Sequence, residues 1–284
     1  MNILSIQSHV AYGFVGNRAA TFPLQRLGFD VWAVNTVQFS NHTGYGAWKG
    51  EVFSPEHVRA VIDGIDERGA LARCDALLSG YLGDAALGEV VVETAARVRA
   101  ARPDAVWACD PVMGDVGRGF FVRPGIPELF RDRIAPLADI ITPNQFELEH
   151  LAGGGVDTLP QAIEAARAVI ARGTKHVLVT SLQRAEAPAD RIEMLAVSAT
   201  EAHLVSTPLL HFETAPNGSG DAVAALFLAH YLRRRDVPTA LGEAAAAIFA
   251  IMDATAASGQ RELALISAQA EFAAPGRRFP VMAV

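Results

Sequence analysis

Residues 139–181 read DIITPNQFELEHLAGGGVDTLPQAIEAARAVIARGTKHVLVTS. The stretch opens and closes on short β-prone apolar runs, Asp139–Ile141 and Val177–Val179. Between them Leu159–Ala171 spaces its apolar residues as a helix does, and Asp157-Thr158-Leu159-Pro160 gives it a capping residue and a first-turn proline. Strand, helix and strand in that order predict a βαβ unit, in which the two strands run parallel. Polar residues stand where each strand runs out: Thr142, Asn144 and Glu147 after the first, Thr180 and Ser181 after the second.

The same alternation extends through the chain. Further strand-like runs are Ile3–Ile6, Val31–Val34, Ala76–Leu78 and Ala105–Ala108, and helical patterns cover Arg18–Leu27, Pro55–Arg68 and Leu87–Ala101. Most of the runs are too continuously apolar for a sheet with one wet face, so parallel strands covered on both sides are expected. Beyond Val179 the pattern changes. Ile192–Val197 and Ala202–Val205 read as an antiparallel hairpin, and two long helices follow at about Gly220–Arg235 and Thr239–Ala257. No linker, charge block or repeat interrupts residues 1–284, which are read as one doubly wound α/β domain.

Composition excludes several classes. At 284 residues with 51% apolar and 19% charged side chains, the chain is too apolar to be mainly disordered. Twenty-four basic against 31 acidic residues give a net charge of −7, which excludes a global electrostatic grip on nucleic acid or an anionic membrane. The longest uninterrupted apolar run, Ala244–Met252, is nine residues; a membrane helix needs about 20. The opening MNILSIQSHV carries no basic residue before its apolar run and does not read as a signal peptide. Two cysteines, Cys74 and Cys109, beside strand-like runs suggest a reducing, cytoplasmic setting rather than a disulfide scaffold.

In open parallel sheets ligands bind beyond the carboxyl ends of the strands. Ser8 follows the first run, and the polar loop Asn41-His42-Thr43-Gly44-Tyr45-Gly46 lies a few residues past the second. Gly80-Tyr81 follows the third and Asp110 the fourth. The sharpest local feature is Ala215-Pro216-Asn217-Gly218-Ser219-Gly220-Asp221, running directly into the helix AVAALFLAHYLRRR. Two glycines one residue apart let the backbone take positive φ and turn its amides into an anion nest, to which the helix start adds free N–H groups. Such a nest holds phosphate without a basic side chain. Asp221 is then either a helix N-terminal acid or a carboxylate placed to take a proton from an attacking hydroxyl. Asp110 either caps a loop and Glu147 sits on an exposed helix turn, or the two are hard ligands for the Mg²⁺ of a nucleotide.

Other chemistries lack their motifs. There is no G-x-x-x-x-G-K-[ST] loop, no G-x-G-x-x-G after the first strand, no G-x-S-x-G elbow and no H-E-x-x-H. His42 could touch a substrate from its loop, whereas His150, His176, His203 and His230 read as structural. Val223, Leu226, Phe227 and Tyr231 read as the core stripe of their helix.

Taken in order, IQSHVAYGFVGNRAATFPLQRLG (6–28), VNTVQFSNHTGYGAWKG (34–50), LLSGYLGD (77–84), CDPVMGD (109–115), PLADIITPNQFELE (136–149), VLVTS (177–181) and NGSGDAVAALFLA (217–229) resemble the pyridoxal kinases of the ribokinase-like superfamily. S-H-V with S-N-H-T-G-Y is the part specific to pyridoxal kinases; Gly-x-Gly-Asp belongs to the whole superfamily. The resemblance implies a ribokinase-like three-layer α/β/α sandwich with a mostly parallel central sheet. It also implies ATP-dependent phosphorylation of the 5′-hydroxyl of pyridoxal. Asp221 matches the catalytic base, and Gly218 and Gly220 the anion hole for the moving phosphoryl group. Ser8, Val37, Phe39, Thr43, Gly44 and Tyr81 match the vitamin pocket. Asp110, Thr142, Asn144, Glu147, Thr180, Ser181 and the run Pro216, Asn217, Gly218, Ser219, Gly220 match the ATP side, with Asp110 and Glu147 toward Mg²⁺. A monovalent cation, present in some members, and a homodimer are implied too. Thr180 stands where many bacterial members carry lysine, which implies a hydroxyl contact to phosphate, and 213–217 departs from the family. Hydroxymethylpyrimidine kinase and a non-catalytic vitamin B6 binder are the competing readings.

Overall fold

A computed structural model describes all of residues 1–284. The strands are β1 (Asn2–Val10), β2 (Asp30–Phe39), β3 (Gly50–Val52), β4 (Cys74–Ser79), β5 (Val106–Cys109), β6 (Gly114–Asp115), β7 (Gly119–Phe120), β8 (Ile140–Ile141), β9 (His176–Leu182), β10 (Arg191–Val197), β11 (Ala202–Pro208) and β12 (Val281–Ala283). The helices are α1 (Asn17–Arg26), α2 (Pro55–Asp66), α3 (Ala85–Ala101), α4 (Ile126–Leu129), α5 (Gln145–Ala152), α6 (Leu159–Ile170), α7 (Ser219–Arg234), α8 (Val237–Ser258) and α9 (Gln269–Ala273).

Ten strands form one sheet in the order β12-β11-β10-β9-β8-β5-β4-β1-β2-β3. Its centre, from β9 across to β2, is parallel. Antiparallel β3 closes one edge and antiparallel β10, β11 and β12 extend the other. Sequence reading placed the six parallel strands and the β10–β11 hairpin. It did not place β3, β12 or the separate β6–β7 ribbon, which are two or three residues long and carry no periodicity.

Alternation along the strands explains the three layers. Leu4 and Ile6 of β1, Leu77 of β4 and Trp107 and Cys109 of β5 pack with α2, α3, α5 and α6. Ile3, Ala76, Leu78, Val106 and Ala108 point the other way, toward α1, α7 and α8. Strands wetted on neither face need apolar residues at every position, hence the continuous runs. The helices start where the sequence provides caps. Ser54, Asp84 and Asp236 accept amide hydrogen bonds at the heads of α2, α3 and α8, and Asn144 and Thr158 form capping boxes on α5 and α6. The 22-residue α8 is long and apolar enough to span a membrane by length and composition, although its uninterrupted apolar run is short, because only two charged residues, Glu243 and Asp253, interrupt it. Ala240, Leu241, Ala244, Ala245 and Ala247 are buried in the core shared with α7, so the helix spends its apolar side on the fold.

From β1 the chain steps outward to β2 and then crosses to β4 on β1's other side. A crevice therefore opens at the carboxyl ends of β1 and β4, where the strand order reverses.

Candidate active site

A cavity of about 500 Å³ occupies that crevice. Ser8, Phe39, Thr43, Tyr81, Asp110, Asn144, Glu147, Thr180 and Pro216–Asp221 all line it, although they come from eight separate stretches of chain. A second cavity of about 260 Å³ adjoins it and shares Asp115, Asn144, Thr180, Ser219 and Gly220. The two form one cleft pinched at the start of α7.

Asp221 lies in the first turn of α7, so its position as a helix N-terminal acid and its position at the cavity are the same fact. Burial pushes its carboxyl up to about 6, against the pull of hydrogen bonds from the Gly16 and Asp221 amides. Asp110, directly after β5, is 5% exposed and accepts from Thr142 Oγ1 at 3.1 Å. Burial, followed by the charges of Glu147 and Asp221, holds it well above the usual carboxylate range. Glu147 is 4% exposed and occupies the third position of α5. Its Oε2 accepts from the Asn144 amide at 3.0 Å and its Oε1 from the Met113 amide at 2.8 Å. Burial nonetheless pushes it up to about 8. The capping role and the place in the site are again held together by one side chain.

The glycine turn corrects one expectation. Gly218 has φ +90° and caps α7, and a Cβ on it would overlap the Phe14 carbonyl oxygen and lie 2.9 Å from its carbon. Gly220 is already helical, without positive φ, and a Cβ there would meet only Asp110 Oδ2 at 3.7 Å. The left-handed turn therefore rests on Gly218 alone; Gly220 keeps side-chain bulk away from Asp110 and the cavity.

Two bulges aim the strand residues. Ser8 and Thr180 belong to β1 and β9 rather than following them. Between Gln7↔Asn35 and His9↔Gln38 the register slips, leaving Ser8 opposite both Thr36 and Val37. Between Glu193↔Leu182 and Leu195↔Val179 it slips again, leaving Thr180 and Ser181 opposite Met194 alone. Bulges redirect side chains in this way beside functional sites. Thr180 reaches both cavities, Ser181 the smaller one only.

The remaining predicted residues divide. Phe39 is in the wall and stacks on Trp48 with centroids 4.0 Å apart. Val37 is fully buried behind it, packed among Val10, Val15 and Phe39, and Thr142 sits behind Asp110. Neither contributes to the lining. Gly44 does not line the cavity either; it follows Thr43, and its carbonyl accepts from Arg261 Nη2 at 2.8 Å. Tyr81 lines the cavity and burial raises its phenol. His42 also lines it, with Nδ1 accepting from the Gly44 amide at 3.0 Å; burial, then Arg118, lowers its imidazolium. His176 contacts the Tyr231 hydroxyl and His203 contacts Glu201, as structural histidines would.

Sequence reading missed Trp48, Asp115, Arg118 and Arg123 in the larger cavity, and Met194, Leu209, Phe212 and Phe249 in the smaller. Asp115 stood inside the CDPVMGD string and could have been singled out. Val223, taken as core only, also lines the smaller cavity. Apolar wall residues carry no signal that separates them from core.

The donor set fits a hard cation. Asp110, Glu147 and Asp221 are three buried or half-buried carboxylates whose protonation no neighbouring Lys or Arg offsets. No group of three or more His, Cys, Asp or Glu gathers into a complete ligand shell. A cation held partly by nucleotide phosphates and water needs no such shell.

The family described as phosphomethylpyrimidine kinase matches residues 29–264. Over its whole length the chain is 57% identical to the pyridoxal kinase PdxY of Rubrobacter xylanophilus, covering 98% of that protein. It is 52% identical to the pyridoxal kinase PdxY of Leifsonia xyli, with full coverage of both chains. Among solved structures, the pyridoxal kinase of Leishmania donovani in complex with ADP and pyridoxamine superposes with a TM-score of 0.92 at 34% identity, covering 100% of this chain and 99% of that one. Sheet order, cleft and relatives agree: the chain belongs to the pyridoxal kinase family of the ribokinase-like superfamily.

Proposed function

We infer that this chain is an ATP-dependent pyridoxal kinase that phosphorylates the 5′-hydroxyl of pyridoxal. One observation carries the reading: the head of α7 separates two cavities, with Asp221 facing the larger and Gly220 shared by both. Phosphoryl transfer needs little from a protein beyond alignment and electrostatic stabilisation. The larger cavity takes the pyridine ring against Phe39, Tyr81, Thr43 and Ser8. The smaller, walled by Met194, Leu209, Phe212 and Phe249, suits an adenine.

Asp221 orients the 5′-hydroxyl and accepts its proton as the oxygen attacks the γ-phosphorus in line. The free amides at the head of α7 and the positive end of its dipole receive the charge on the transferring group. Asp110 and Glu147 are the residues that would hold Mg²⁺, although both Glu147 oxygens already accept amides. When bound, Mg²⁺ neutralises phosphate charge and fixes phosphate geometry. Thr180 offers a hydroxyl to the same phosphates, and a monovalent cation beside them is compatible with the acidic lining. A homodimer and a cytoplasmic setting complete the proposal, the second supported by two buried free thiols.

Initial rates with MgATP and pyridoxal, pyridoxamine, pyridoxine or hydroxymethylpyrimidine test the substrate. Turnover of a B6 vitamer is expected. Preference for hydroxymethylpyrimidine would overturn it. Tight pyridoxal binding without turnover would mean a binder.

A further inference from the structure

We propose that Glu262, assisted by Arg261, is a positioning residue that ties the pyridoxal-side loop to the loop supporting Asp221. The pair lies between α8 and α9, outside the cavity lining. Glu262 Oε1 accepts from the Tyr45 hydroxyl at 2.5 Å, and Oε2 accepts from the Phe14 amide at 3.0 Å. Those partners are 217 and 248 positions away, so the one carboxylate joins three remote segments.

Each attachment leads to a different side of the site. On the vitamin side, Tyr45 closes the short turn Thr43–Tyr45, whose neighbours Thr43 and His42 line the cavity. Arg261 reinforces this side: its guanidinium lies 3.9 Å from the Tyr45 ring centroid and donates to the Gly44 carbonyl. On the other side, Phe14 belongs to the 11–16 loop. The Phe14 carbonyl abuts Gly218, three residues before Asp221, and the Gly16 backbone lies near enough to pull the Asp221 carboxyl down. Gly13, at φ +93°, lies so close that a Cβ there would stand 2.7 Å from Glu262 Cδ and displace that side chain. The 11–16 loop is thus fitted to this carboxylate and not merely near it. One side chain therefore sets where the vitamin loop stands relative to the turn that carries the base.

The inference rests on pyridoxal being the substrate, and two variants test it. Tyr45→Phe removes only the Oε1 attachment and keeps the ring against Arg261. It should raise the pyridoxal KM by something on the order of 10- to 100-fold, the loss expected for a hydrogen bond to a charged group, with kcat and the ATP KM unchanged. Glu262→Ala releases both loops, so it should raise the pyridoxal KM and also lower kcat. The double variant should have the KM of Glu262→Ala alone, because Tyr45 then has nothing left to lose. An unchanged pyridoxal KM in Tyr45→Phe, additive effects in the double variant, or a loss confined to the ATP KM would each overturn the proposal. Equilibrium pyridoxal binding by the same proteins, read by fluorescence, should weaken in parallel. That readout decides the coupling even if the wild type turns over no vitamer, an outcome that would refute the substrate assignment separately.

Discussion

Replacing Gly218 by alanine isolates the backbone's part in catalysis. At φ +90° an L-residue pays about 1–2 kcal/mol for the left-handed conformation. The new Cβ would also sit 2.9 Å from the Phe14 carbonyl carbon and 3.3 Å from Val15 Cα, and both are backbone atoms that cannot rotate away. The turn must then shift by something on the order of 1 Å, enough to cost about 10²-fold in rate when it carries the reacting groups. Gly218→Ala should therefore lower kcat/KM by about 10²-fold and the melting temperature by roughly 2–8 °C. Coupled spectrophotometric assay and thermal unfolding of the same preparation give the two numbers. Gly220→Ala is the control: its Cβ meets Asp110 Oδ2 at an ordinary 3.7 Å in a helical backbone, so stability should hold while the ATP KM rises. Wild-type turnover and melting in Gly218→Ala would refute the argument, as would a larger stability loss in Gly220→Ala.

Other expectations follow from the same geometry. Asp221→Asn should keep the fold and lose at least ~10²-fold in turnover, the low end for removing a general base; undiminished turnover would remove Asp221 from the reaction. Because folding raises the Asp221 carboxyl from 3.8 to about 6, its neutral form favours the folded state. That contribution is complete below pH 4 and lost as pH climbs through 6, so melting curves across this window should flatten in Asp221→Asn. Leu209→Asp, which puts charge into the smaller cavity, should raise the ATP KM about 10-fold and leave the pyridoxal KM alone. Burial pushes the Cys109 thiol up and the Cys74 thiol up to about 11, so neither should react with a disulfide reagent until the protein unfolds.

Much of this was readable in the sequence because parallel strands and their connecting helices impose distinct periodicities. The cap at Thr158 and the proline at 160 even set the start of α6 to the residue; the capping box at Asn144 that starts α5 was not singled out. The glycine motif announced the head of α7 but not which glycine bears the strain, since positive φ at Gly218 is forced by the 11–16 loop pressing on it from over two hundred residues away. Ser8 and Thr180 were singled out as site residues but assigned to strand ends. Bulges are set by pairing between strands, and a lone strand does not display them. Val37 was taken as pocket wall on the family resemblance, yet it is packed among Val10, Val15 and Phe39 instead. The smaller cavity was invisible for the opposite reason: Met194, Phe249 and their neighbours are ordinary core types, and only folding leaves a gap between them.

Glu147 holds two posts, since the amides that anchor the head of α5 and the Met113–Gly114 strand are bound by the carboxylate that faces the cavity. Exchanging it for a neutral residue would damage scaffold and chemistry at once. A substitution at this position is therefore expected to cost more than one at the exposed Asp115, which lines the same cavity without holding the head of a helix.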